Sequence, residues 1–138
     1  MAAAASKPLK FTRAMRIKQG RDFSRIRQEG QRLAVGCLIA NWRALGPGTT
    51  PRLGVVTSSR IGNAVVRNRA RRLLREAFRT HQHDLAQPVD LVLVARQSIA
   101  GKNLAEVERD FLTTLRRGGL LQGARRAPTA EPGGPRES

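Results

Sequence analysis

The chain has 138 residues, enough for one domain with a real core, and carries 26 Lys and Arg against 10 Asp and Glu, a net charge of +16. That imbalance calls for a polyanionic partner, nucleic acid before an anionic membrane. Cys37 is the only cysteine, which excludes an internal disulfide and every multi-cysteine zinc site, and no apolar run approaches the ~18 residues of a membrane span.

Residues 1–12 read as a disordered basic lead-in, without the apolar stretch of a secretory signal. A short helix is expected over 21–29, with Phe23 and Ile26 on one side and Gly30 as its stop. Residues 35–42 (VGCLIANW) read as a strand, 45–51 as a Gly- and Pro-containing loop, and 52–58 (RLGVVTS) as a second strand. A basic helix follows from Asn63 to Arg79 or His81. Gln87 and Pro88 break the chain. Residues 90–95 (DLVLVA) form a continuous apolar run, which predicts a strand buried on both faces. Asn103 caps a last helix reaching Arg117, with Leu104, Val107, Phe111, Leu112 and Leu115 at helical spacing. Gly118 and Gly119 end it, and 118–138 read as a disordered tail rich in Gly, Pro and Arg. This order predicts an α+β fold: a small two-layer α/β sandwich in one domain over 13–117, its sheet packed on one face by helices. A further strand can hide in the connections.

The basic helix is the most informative segment. Between Arg60 and Arg79 seven arginines stand against one acid, Glu76. Asn63 occupies the N-cap position. Val66, Ala70, Leu73 and Ala77 form the core-facing stripe, widened by Leu74 and Phe78. Arg67, Arg71 and Arg75 line one flank; Asn68, Arg72 and Arg79 line the far side, with Arg69 nearby. Glu76 lies within helical reach of Arg72 and Arg69. Solvated helix faces normally intersperse the two signs, and this one does not. Six arginines on phosphates would give a log–log salt slope on the order of −4 to −5.

Other constellations carry less. His81 and His83 are two apart and do not share a helix face, so a metal reading fails there. Glu106 and Asp110 read as a solvated face, with Arg109 near Glu106. Cys37 reads as a small core residue. No nucleophile–base set and no glycine-rich phosphate loop is recognisable, so no catalytic residue and no metal ligand is assigned.

The run from Gly62 to Arg72 (GNAVVRNRARR), followed by Arg75 and Glu76, resembles the signature of the bacterial ribonuclease P protein component, with Arg67, Asn68 and Arg69 as its core. Arg21-Asp22-Phe23 resembles that family's first helix, residues 53–56 its strand before the motif, and 90–96 its last strand. The resemblance covers residues 13–117. It implies a small α/β sandwich shared with a ribosomal protein domain, with a left-handed crossover. It also implies an RNA-binding subunit that helps remove the 5′ leader of precursor tRNA, the catalytic RNA subunit performing the hydrolysis with Mg²⁺ that it largely binds itself. On that basis Arg67, Asn68, Arg69, Arg71, Arg72 and Arg75 are expected on the catalytic RNA, and Arg60 and Asn63 at the helix mouth near RNA phosphates or a phosphate-bound metal. Phe23, Arg27 and sheet residues within 35–42 are expected on the leader. The implied partners are the catalytic RNA and precursor tRNA, in the cytoplasm; no membrane and no protein partner is inferred.

Three positions depart from the family pattern. Arg27 stands where a second aromatic often sits, Ala40 where a Tyr can occur, and Ser59 where a basic residue is common. A guanidinium at Arg27 can stack on a base in place of a ring. Two rival readings are a ribosomal or DNA-binding module using the same helix, and a self-sufficient nuclease. A helix-turn-helix needs a second helix where residues 52–58 read as strand. A nuclease needs an acidic metal cluster or a His base.

Overall fold

The computed structural model describes Phe11 and residues 13–121. The expected lead-in and tail otherwise lie outside the described residues. The elements are α1 (Gly20–Glu29), β1 (Gln31–Val35), β2 (Leu38–Ala44), β3 (Arg52–Val56), α2 (Ala64–His81), β4 (Val89–Ala95) and α3 (Leu104–Arg117), joined by short 3₁₀ turns. The strands pair in the order β1-β2-β4-β3; β3 and β4 are parallel and the other pairs antiparallel. β4 takes an interior position because six of its seven residues are buried, as its apolar run predicts. The outer edge of β3 is covered by the chain before α1, where the Ile17 amide donates to the Leu53 carbonyl at 2.9 Å.

Alternate residues of β4 divide the core in two. Leu91, Leu93 and Ala95 face the main core with Leu38, Ala40 and Trp42 of β2, and meet Leu74 and Phe78 of α2 and Val107, Phe111 and Leu115 of α3. Val92 faces the other way, against Ile17 and Ile26, with Phe23 and Val94 packed beside them. The two long helices thus make the expected layer on one face, and short α1 covers part of the opposite face.

The run 35–42 is not one strand. It divides at Gly36 and Cys37, a two-residue turn that pairs β1 with β2. Gly36 sits at φ 56°, open to glycine, and a Cβ there would collide with the Asp110 carboxylate. β1 escaped a pattern reading because only Val35 of its five residues is buried, as suits a solvated edge. Asp110, expected on a solvated helix face, accepts the Cys37 amide at 3.0 Å and ties α3 to this hairpin. In α2 the buried line is Ala70, Leu74, Ala77 and Phe78, while Val66 and Leu73 are half-buried. The stripe is rotated from the expected one because α2 packs on both the sheet and α3.

α3 begins with a reciprocal capping box: Asn103 accepts the Glu106 amide and Glu106 accepts the Asn103 amide. That use, and not Arg109, occupies Glu106. The helix ends in a Schellman motif, with Gly119 at φ 74° and amides of Gly119 and Leu120 donating to Arg116 and Leu115. The ordered chain continues past Arg117: Leu120 is buried and Leu121 bridges Leu85, so the first residues of the expected tail belong to the core.

Cys37 is fully buried, and burial, a hydrogen bond to Asp110 and the Asp110 charge together push its thiol up to about 12. The thiol should therefore resist iodoacetamide at pH 8 in the native protein and react only on unfolding. Below pH 9 both states keep the proton. Between pH 9 and 12 only the unfolded chain releases it, so stability should fall there, by about 1.4 kcal/mol per unit at most. Melting temperatures of wild type and Cys37→Ala, compared from pH 8 to 10.5, should converge as pH rises. Parallel curves would disprove the linkage.

Candidate nucleic-acid interface

The start of α2 is set by three residues of the motif. The Asn63 Oδ1 accepts the Val66 amide at 3.1 Å, as an N-cap does. Gly62 has φ 145°, and a Cβ there would lie 2.8 Å from the Val66 Cβ. Arg67 reaches back, its Nη1 donating to the Gly62 carbonyl at 3.1 Å. These contacts fix where the arginine rows point.

Past that turn, Arg71 donates to the Thr57 hydroxyl at 2.5 Å, just beyond β3, and to the Asn68 side chain, which fixes how the two side chains sit on each other. Arg75 is half-buried beside Arg16 and Arg71, and burial followed by those two like charges lowers its pKa. Glu76, the only acid of the helix, is taken by Arg79, with Nε–Oε1 at 2.9 Å and Nη2–Oε2 at 2.5 Å. Arg72 and Arg69 were the expected partners. Arg79 prevails with the favoured order of acid before base along the helix, and its hydrogen bonds hold the Glu76 carboxyl below its usual pKa. Among the described residues no carboxylate pairs with Arg67, Arg69, Arg71, Arg72 or Arg75.

A cleft of about 390 Å³ runs along this side, lined by Phe11, Asn68, Arg71, Arg72, Arg75 and Arg79, with Glu76, engaged by Arg79, as its one acid. Phe11 packs edge-on against Phe78 at 5.9 Å, and the Arg16 guanidinium lies 5.2 Å over its ring. Phe11 and Arg16 were not among the expected site residues; Phe11 sits in the expected lead-in and Arg16 just inside the domain, and only their packing beside α2 reveals them. Arg60 and Asn63 are exposed at the helix mouth. Arg60 borders a second hollow of about 560 Å³ with Ser58, Val94, Arg96, Gln97 and Ser98. Arg69 is about 120° round the helix from Arg75 and faces away from the cleft.

The open face of the sheet forms a separate surface beside α1. Phe23 is half-buried with its ring on Gly54, and Arg27 is exposed one turn further along. Ile39, Val56 and Val94, neighbours in register, continue that face, and Val56 is 37% exposed. Ala40 is not on this surface. It points into the main core, and its neighbours Ile39 and Asn41 face the open side, so only alternate residues of 38–42 can meet a ligand there.

His81 lies between two carboxylates, with Nδ1 3.1 Å from Asp84 and Nε2 3.1 Å from Glu108. The two ring nitrogens point to different acids, so the group links α2 to α3. Among the described residues no three His, Cys, Asp or Glu side chains converge on a cation position, and no helix is long and apolar enough to cross a membrane.

A family model described as Ribonuclease P matches residues 11–118. The ribonuclease P protein component of Gluconacetobacter diazotrophicus is 34% identical over 109 residues, covering 78% of this chain and 94% of that protein. That of Geobacillus kaustophilus is 33% identical over 116 residues, covering 83% and 96%. Among solved structures, the RNase P protein of Staphylococcus aureus superposes with a TM-score of 0.72 at 27% identity, over 80% of this chain and all of that one. The protein from Thermotoga maritima gives 0.65 at 28% identity, over 74% and 96%. The signature at the start of α2, the four-stranded fold and these similarities agree: the chain belongs to the ribonuclease P protein family.

Proposed function

We propose that the chain binds the catalytic RNA of ribonuclease P through α2 and the 5′ leader of precursor tRNA through the open sheet face, promoting 5′ maturation in the cytoplasm. The observation that carries this reading is the arginine array of α2, five guanidinium groups with no carboxylate partner among the described residues while the helix's one acid is already engaged. Arg71, Arg72 and Arg75 with Asn68 line one cleft, where a phosphate backbone neutralises their mutual repulsion. The leader reading rests on Phe23, Ile39, Val56 and Val94, an apolar platform for unpaired bases, flanked by Arg27 and Arg32 for phosphates.

Among the described residues no cluster of carboxylates suits Mg²⁺. Asp22, Glu29 and Asp90, where α1 meets the sheet, all pair with arginines. We assign the cation to the RNA, where it supplies charge stabilisation for phosphodiester hydrolysis. The protein contributes positioning and positive field.

Cleavage of a leader-bearing precursor tRNA at moderate Mg²⁺ tests this, comparing protein alone, catalytic RNA alone and the mixture. Cleavage is expected only with RNA present and is stimulated by protein. Cleavage by protein alone would make it a nuclease in its own right. Absence of stimulation would leave a general RNA- or DNA-binding module.

A further inference from the structure

Five charged side chains join α1 to the sheet in one line. Arg43 of β2, Asp90 of β4 and Arg52 of β3 are direct neighbours in register. The Asp90 carboxylate is fully buried at the centre. Arg52 grips it with two bonds, Nε–Oδ1 at 2.8 Å and Nη2–Oδ2 at 2.9 Å, and Arg43 Nη2 approaches Oδ2 at 3.4 Å. Each arginine also extends to α1: Arg52 to Asp22 at 3.7 Å and Arg43 to Glu29 at 3.6 Å.

The spacing of these arms is matched to the two elements. Asp22 and Glu29 are two helical turns apart, about 10.5 Å along α1. β3 and β2 are separated by β4, two strand spacings or about 9.6 Å. The helix therefore lies across the strands with an acid over each outer arginine. At about 100° per residue, Asp22 and Glu29 fall on one flank of α1, Ile26 points down to Val92, and Phe23 and Arg27 fall on the other flank. The ionic line holds the flank opposite the open face.

We propose that Asp90 is a positioning residue: by holding Arg43 and Arg52 it clamps both ends of α1 and sets the width of the cleft between Phe23, Arg27 and the sheet. This rests on the leader-cleft reading above. Without the clamp α1 keeps its apolar contacts, Ile26 against Val92 and the Phe23 ring on Gly54, and can roll on them. Arg43 has little reserve, because its Nε is buried without a hydrogen-bond partner among the described residues.

The test uses full-length protein assembled with catalytic RNA, and precursor tRNAs of graded leader length down to none. Asp90→Asn should lose about tenfold affinity for the long-leader substrate, the equivalent of one stacked base. Binding of leaderless tRNA and of the catalytic RNA should be unchanged. The double variant Asp22→Asn/Glu29→Gln, altered only at the outer, solvent-reaching ends, should show the same leader-specific loss with its fold intact. Hydrogen exchange should quicken in residues 20–29 and not in α2. If Asp90→Asn weakens leader and catalytic RNA alike while the double variant behaves as wild type, Asp90 serves folding alone and the proposal falls. If wild type itself shows no dependence on leader length, the leader reading fails. Exchange then still judges the clamp: loosening confined to α1 upholds it, and uniform loosening overturns it.

Discussion

Replacing Arg69, Arg72 and Arg75 together by Ala is expected to weaken binding to the catalytic RNA by about two to three orders of magnitude and to flatten its salt dependence. Charge-assisted hydrogen bonds are worth roughly 1.5–3 kcal/mol each, and three lost contacts give about that range even when partly compensated. The log–log slope should shrink by about 2 to 3, near 0.9 per phosphate released. The helix itself should survive, since Ala is the better helix former and none of the three pairs with an acid among the described residues. Arg116 and Arg117, exposed at the end of α3, carry the same charge away from the cleft. Their replacement by Ala should leave both affinity and slope nearly unchanged. Filter binding of catalytic RNA from 50 to 500 mM salt decides the matter. A loss in the triple variant that is equal at all salt concentrations would mean that the arginines act through shape and not through phosphate contact. The single Arg69→Ala variant adds resolution: from its position away from the cleft it should cost the least of the three.

How far this surface could be read in advance depends on the range of the interactions involved. α2, its Asn63 cap and its unpaired charge were legible because they are set by spacing along a single helix. So was the interior place of β4, because burial on both faces removes the polar residues from its run. β1 was not legible. An edge strand with one buried residue has no strong alternation, and the Gly36-Cys37 turn sits inside an apolar run that looks continuous. The roles of Asp110, Phe11 and Arg16 were out of reach for a different reason. Each acts on a partner more than 30 residues away, and no local pattern marks it. Asp90 belongs with these. In the sequence it is the polar start of a strand; in the fold it is the buried centre of five charges. Position 40 shows the opposite failure, since matching Ala40 to a ligand-facing position overlooked the period of two that turns it into the core.

Gly54→Ala is expected to destabilise the protein by about 1–2 kcal/mol and to impair leader binding, although an added methyl normally favours an extended strand. The backbone at this position makes no special demand, so removing glycine should gain up to about 1 kcal/mol. Space opposes it. A Cβ would lie 2.6 Å from Phe23 Cε1, 2.8 Å from Cζ and 3.3 Å from Ile17 Cβ. Overpacking of this kind costs about 1–3 kcal/mol, so the clash prevails. The ring is the softer partner and should lift off the sheet, which changes the face offered to an unpaired base. In a domain of this size the melting temperature should fall by roughly 4–8 °C per kcal/mol. A double-mutant cycle identifies the cause. In a Phe23→Ala background the ring is gone and only the looser Ile17 contact remains, so Gly54→Ala should there be neutral or mildly stabilising. If instead the cost persists unchanged without the ring, Gly54 is required for the strand itself, and the seating of Phe23 on bare backbone is not what sets this face.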